Sequence, residues 1–384
     1  MSTELENVGP QVRADLEWRP MADGQIVATT SRRAHLALTA DEFEFLQALD
    51  GSHPAGDLIE KWGSDTEELL DDFGNAGLLV GSQVPEDEGV SVTKSGIEFA
   101  GFGRLVARLH SYGGRHLLTK PGAGVVVAII VAGALVLGRE GLTHRAAENA
   151  IPGPLLVLMF SVAGIVASVI HESAHALVIH DRQRQVGSGG IGFYWGALAF
   201  YVDATDALLL PKKARLLQVL AGPAADALLA SLLAISATAL PGSSPWRAVL
   251  IQISVLLWID VLVNLCPVLE LDGYWAVADW LDRPNLRAQS HEAILRLFRH
   301  GDITSWTIAC YGLVSLSAGL ALMALSAWLW ITVYADLVVE TWHQGAVGKA
   351  AVAVWLGPTV LGLGASAAGY LKSVRSRPRA PEQY

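Results

Sequence analysis

Between Lys120 and Arg139 lie 18 residues without a charge, about the shortest run that can cross a bilayer as a helix. Further runs of similar length follow, and their apolar residues cluster rather than alternate with polar ones. With 52% hydrophobic and only 17% charged residues in 384, the chain reads as a mostly α, multi-pass membrane bundle. About six spans fit: the run after Lys120, then approximately 154–180, 216–240, 246–265, 305–334 and 347–371.

The distribution of Lys and Arg gives this bundle an orientation. If the amino terminus is cytosolic, 17 basic residues fall on cytosolic flanks, among them Arg104, Lys120, Lys212, Arg215 and Arg283, against four outside, Arg139, Arg145, Arg247 and Lys349. The excess predicts a cell-membrane protein with both termini in the cytosol. Met1 to Val8 is polar and acidic and does not read as a signal peptide, so the first domain is expected to stay in the cytosol. Cys266 and Cys310, the two cysteines, both fall in apolar segments, so no disulfide framework or Cys-rich metal site is implied.

Residues 1–85 read as a small soluble α+β domain. Leu16, Trp18, Ile26 and Val27 sit in short strand-like pieces broken by Pro20 and Gly24, and Ala34 to Leu38 alternates like a further strand. Thr39 followed by Glu42 is a capping-box signature for a helix stopping at Asp50-Gly51. A second helix is marked by Leu58, Ile59 and Trp62, and a third, capped by Ser64 or Asp65, by Leu69, Leu70 and Phe73. Residues 86–120 form a linker that turns amphipathic and basic, suited to the bilayer surface. Residues 121–384 form the membrane domain.

Charge divides the chain: residues 1–100 carry 20 acidic and 6 basic side chains, the remainder 17 and 21. An acidic front disfavours nucleic acid and suits either plain solvation or a basic partner peptide. The order of small sheet, helix ending in Leu-Asp-Gly and two helices ending in Gly-Leu-Leu resembles the PqqD-like winged-helix domain. That resemblance implies capture of the leader of a ribosomally made precursor peptide.

Within the second run stands His171-Glu172-Ser173-Ala174-His175, preceded by a stretch from Ile151 to Ile170 without an ionisable side chain. On a helix, positions i and i+4 share a face, so His171 and His175 can hold one Zn²⁺ with Glu172 beside the open position as general base. Ionisable groups at membrane depth mark function. A catalytic zinc generally takes three protein ligands, and the segment Asn264 to Gly273 ends the fourth span on the same expected side as the end of the second, which makes it the candidate source of the third. Asp226 and Asp260 lie inside apolar spans, as partners that orient a ligand histidine or as hydrogen-bonding groups of the bundle.

The two motifs together resemble the site-2 protease family of intramembrane zinc metalloproteases, in which His-Glu-x-x-His is completed by an Asp from a later Asn-x-x-Pro-x-x-x-Leu-Asp-Gly segment. The resemblance covers about 154–280 and includes Ala221-Gly222-Pro223 in the third span; Leu269 departs from the family, many members of which carry a second Pro there. It implies that His171, His175 and Asp272 hold the zinc, that Glu172 is base and proton shuttle, and that Asn264 contacts substrate or the oxyanion. The expected function is therefore a membrane zinc endopeptidase, one Zn²⁺ per chain, cutting near the cytosolic face and maturing a ribosomally made precursor peptide by leader removal. Its partners would be a peptide or membrane-anchored protein and the lipid bilayer. Two alternatives are regulated intramembrane proteolysis of an anchored signalling protein and a zinc-dependent peptide-binding or immunity protein without catalysis.

Overall fold

The computed structural model describes residues 9–21, 24–30, 35–63, 66–82, 96–99, 101–143, 153–194, 197–283, 286–300, 305–329, 331–332, 335–354 and 356–357. It divides into two compact units.

The first unit comprises Met1–Val92, Thr205–Arg215 and Ala278–Pro284. Strands β1 (Glu17–Pro20), β2 (Ile26–Thr29) and β3 (His35–Leu38) form an antiparallel sheet in that order, with Trp18 opposite Ala28 and Ala28 opposite Leu36. Gly24 takes the left-handed conformation (φ 87°) that the β1–β2 turn requires and that a side chain would strain. Helix α1 (Ala40–Gln47) begins with the expected capping box: the Glu42 N–H donates to Thr39 Oγ1 at 3.3 Å, and the Thr39 N–H donates to the Glu42 carboxylate at 2.7 Å. Helices α2 (Ala55–Trp62) and α3 (Thr66–Asn75) follow, and Phe45, Leu46, Phe73 and Leu78 close the core over Ala28 and Leu38 of the sheet. Ser64 and Asp65, the expected caps of α3, lie outside the described residues.

Where the sequence predicts a continuous first domain over 1–85, this unit is discontinuous. Arg19 on β1 donates to the carbonyls of Leu208 and Leu210 and pairs with Asp282 at 2.9 Å. Arg215, counted above among the basic residues on cytosolic flanks, is only 2% exposed and pairs with both Asp279 and Asp282. A guanidinium is buried only where its donors are taken, and here two carboxylates and the Leu210 carbonyl take them.

The second unit holds the remainder. The expected linker supplies structure of its own: β4 (Gly96–Glu98) and α4 (Phe102–Leu109), which continues through a π turn (His110–Gly114) into α5 (Arg115–Leu117). Val106 is fully buried, so α4 is a packed element and not only a surface strip. Helix α6 (Lys120–Thr143) leads to α7 (Gly153–Asp181), where His110 of the π turn meets Asp181 at 3.0 Å. Strands β5 (Gly189–Tyr194) and β6 (Ala197–Val202) join β4 in a second antiparallel sheet, β4-β5-β6. Helices α8 (Lys212–Ala237), α9 (Pro245–Asn264) and α10 (Asp272–Leu281) come next, then α11 (Leu286–His300), α12 (Trp306–Leu329) and α13 (Ala335–Trp342).

Among the described residues, four helices are long and apolar enough to cross a membrane: Lys120–Glu140, Gly153–Asp181, Lys212–Ala237 and Pro245–Asn264. At about 1.5 Å per residue each is long enough for the roughly 30 Å hydrocarbon layer. Val125, Leu135, Ile165 and Leu262 are exposed on them, as lipid-facing side chains would be. The fifth and sixth expected crossings meet shorter apolar helices among the described residues, Trp306–Ala321 and Gly345–Val354, and 358–384 lies outside them. Ala167 of α7, Ala230 of α8 and Val249, Ile253 and Leu257 of α9 form one core, and the Ser254 hydroxyl donates to the Ala230 carbonyl at 2.7 Å. Small residues here let the three helices that carry the site approach closely.

Candidate metal centre

The i, i+4 spacing on α7 does what the periodicity requires: His171 and His175 point from one face, both buried, with their Nε2 atoms 3.0 Å apart. Their other ring nitrogens are engaged. His175 Nδ1 stands 2.7 Å from the carbonyl oxygen of Gln218, which can only accept, so Nδ1 carries the hydrogen and the neutral ring presents a lone pair at Nε2. His171 Nδ1 lies 2.6 Å from Asp226 Oδ2, and the carboxylate imposes the same tautomer. Two lone pairs thus face each other across 3.0 Å in a buried site, an arrangement that repels unless a cation lies between them.

A candidate third donor lies at the start of α10. Asp272 Oδ2 is 3.0 Å from His171 Nε2 and 3.5 Å from His175 Nε2. Local covalent structure explains how a residue so distant in sequence reaches this point. After α9 ends at Asn264 the chain turns through Cys266 to Leu271, and a Cβ at Gly273 would collide with the Leu265 carbonyl, so only glycine lets the turn close. The Tyr311 hydroxyl donates to the Pro267 carbonyl at 2.6 Å, and Arg287 pairs with Glu270 at 2.9 Å, bracing the loop. With both Nε2 atoms presenting lone pairs, Asp272 Oδ2 adds a third acceptor to the same space.

Asn264, expected to contact substrate or the oxyanion, is hydrogen-bonded to Asp272. Its Nδ2 donates to Asp272 Oδ2 at 3.0 Å and its Oδ1 accepts from the Asp272 N–H at 3.2 Å, so both ends of the amide are occupied in aiming that carboxylate. The same Nδ2 is 3.4 Å from His171 Nε2. Glu172, partly buried, brings its carboxylate within 4.8 Å of the ligating atoms of both histidines, and the three residues form a group that could hold a metal ion. A cavity of about 280 Å³ opens beside Glu172.

Asp226 and Asp260 part company. Asp226, 1% exposed, contacts His171, whereas Asp260 contacts neither histidine and lines a groove between α7 and α9 with Ala167, Ser168 and Ile253. Asp226→Asn is expected to lower metal affinity about 10- to 100-fold, the usual effect of losing a ligand's hydrogen-bond partner. Titration against a competing chelator checks this, and an unchanged affinity would refute the orienting role.

Two features of the centre escaped the sequence reading. The Gln218 carbonyl leaves no mark in a sequence, although Pro223 five residues on signals disturbed backbone bonding: it removes the N–H that the neighbouring Val219 carbonyl would accept. Gly222 enters the sequence analysis only within Ala221-Gly222-Pro223, as part of the resemblance. A Cβ placed there would lie against Nε2 of both histidines, so the glycine keeps open the space into which the ligand atoms point. Comparison with models of protein families, with curated proteins and with solved structures finds no match to this chain.

Proposed function

We propose that this chain is a zinc-dependent endopeptidase of the membrane that cuts a peptide bond close to the cytosolic surface. The observation that carries the reading is the triangle of His171 Nε2, His175 Nε2 and Asp272 Oδ2, with edges of 3.0, 3.0 and 3.5 Å. A tetrahedral zinc at about 2.0–2.1 Å from each donor separates them by roughly 3.3–3.4 Å, so the donor set needs adjustments of only a few tenths of an ångström. Two imidazoles and one carboxylate also leave a fourth position for water or substrate, the pattern of catalytic and not of structural zinc.

When bound, zinc supplies Lewis acidity to the scissile carbonyl and to water. Glu172 accepts the proton released as the water oxygen bonds to the carbonyl carbon. As the C–N bond breaks, it returns that proton to the leaving nitrogen, giving a carboxylic acid and an amine. Asp226 and the Gln218 carbonyl hold the imidazole tautomers through the cycle, and Asn264 holds Asp272. The basic residues flanking the helix ends support six crossings with both termini cytosolic. The sheet and three helices of residues 1–85 support a PqqD-like, winged-helix role in capturing the leader of a precursor peptide, which makes leader removal the favoured reaction.

Removing metal from the full chain with a chelator should abolish cleavage of an internally quenched peptide library in micelles, and Zn²⁺ should restore it at about one ion per chain. Cleavage surviving in metal-free protein would overturn the zinc reading. Cleavage of anchored substrates with no binding of leader peptides would move the function to regulated intramembrane proteolysis.

A further inference from the structure

The cavity beside Glu172 is chemically unlike the centre it adjoins. Phe99, Phe102, Leu105, Val169 and Phe200 supply most of its wall, and Glu172 is the sole charged residue on it among the described residues. The Phe99 and Phe200 rings stand with centroids 6.5 Å apart at 37°. Glycines shape the wall from the sheet side: a Cβ at Gly189 would enter the Phe102 ring, and one at Gly190 would press on the Ile97 carbonyl and the Tyr201 hydroxyl. The segment ahead of the first span therefore has a second use, since β4 and α4 place Phe99, Phe102 and Leu105 against α7 and β6.

The size narrows the occupant. At about 280 Å³ the space falls just below the roughly 300–1,000 Å³ of small-molecule sites, and it suits one large side chain. Its chemistry narrows it further. An acidic side chain would face Glu172 in an apolar surround, and a basic one would lose its hydration there and tie up the carboxylate needed for proton transfer. An aromatic or branched aliphatic side chain gains burial against the phenyl rings.

We propose that this cavity is a specificity pocket, taking one large apolar side chain, aromatic for preference, from a residue that flanks the scissile bond. The inference rests on the endopeptidase reading for the word scissile, and on the cavity alone for the binding of an apolar side chain. Because Glu172 belongs both to the wall and to the proton-transfer group, a side chain seated there brings its own peptide bond to the histidines.

Two measurements on the full chain in lipid nanodiscs test it separately. In the first, peptides that differ at one position are cut and the products read by mass spectrometry. Bonds flanked by Phe or Leu should be cut about 100-fold faster than those flanked by Ala, since pocket contacts of this kind discriminate at roughly 10- to 200-fold per methylene. Val169→Phe, which fills the pocket from a half-exposed helix position, should shift preference to Ala and Gly. Phe200→Ala, which enlarges it, should favour Trp. Equal cutting of Phe, Ala and Lys peptides, or unchanged preferences in both variants, would overturn the proposal.

The second measurement needs no hydrolysis. The amide of N-acetyl photoleucine, irradiated with the Glu172→Gln protein, should label segments containing Leu105 or Phe200. N-acetylphenylalaninamide should compete and N-acetylalaninamide should not, and Val169→Phe should abolish the labelling. Labelling that neither competitor affects would overturn the pocket. Specific labelling without any cleavage by the unsubstituted protein would leave the pocket standing and fell the endopeptidase reading.

Discussion

Glu172→Gln is expected to leave about one metal ion per chain while cleavage falls by about 10²- to 10⁴-fold, the range that a positioned general base contributes. The amide matches the carboxylate in size and leaves His171, His175 and Asp272 with the partners described above, so the metal has no reason to leave. What disappears is a carboxylate beside the imidazole pair that, on the proposed reading, is neither a ligand like Asp272 nor a partner of one like Asp226. Metal analysis of the purified variant, run alongside the peptide assay, separates these effects. A variant that loses both together would make Glu172 a ligand instead of a base.

Gly222→Ala is expected to have the converse signature, with metal content dropping from about one ion per chain to near none while the helices remain folded. The added Cβ would sit against both Nε2 atoms, and α8, packed through Ala230 against α7 and α9, has little room to withdraw. Gly164→Ala on α7 is the control: nothing lies within 4 Å of a Cβ there, and alanine is the better helix former by about 1 kcal/mol. Metal content and helical circular dichroism should both survive in the control. Full metal occupancy in Gly222→Ala would mean that the ion does not bind in front of the two imidazoles.

Much of this centre is legible before any coordinates, because helix periodicity is rigid: His171 and His175 can share one ligand wherever α7 is drawn. Asp272 is harder, since only the count of spans brings its segment to the same side, yet it lies within hydrogen-bonding reach of His171. The choice between Asp226 and Asp260 could not be made in sequence, as both are carboxylates in apolar helices and their direction depends on how α8 and α9 are rotated against α7. In the first unit the Thr39 capping box was readable because capping is local. Arg215 was not: its partners Asp279 and Asp282 lie more than sixty residues away, and an arginine at a span end ordinarily signals a solvated flank. The strand Gly96–Glu98 escaped notice for a similar reason, since three residues gain strand character only from pairing with Gly190 to Gly192.

The order in which donors occur along the chain has a biosynthetic consequence. A ribosome releases the two imidazoles of α7 first, their backbone and carboxylate supports with α8, and the candidate third donor only after α9 has followed. Until then the nascent protein holds only two of the three proposed donors, one short of the set that a catalytic zinc takes. On the proposed zinc reading, translation itself acts as a safety catch, and a transcript truncated ahead of the Leu-Asp-Gly turn would yield a product without the third donor.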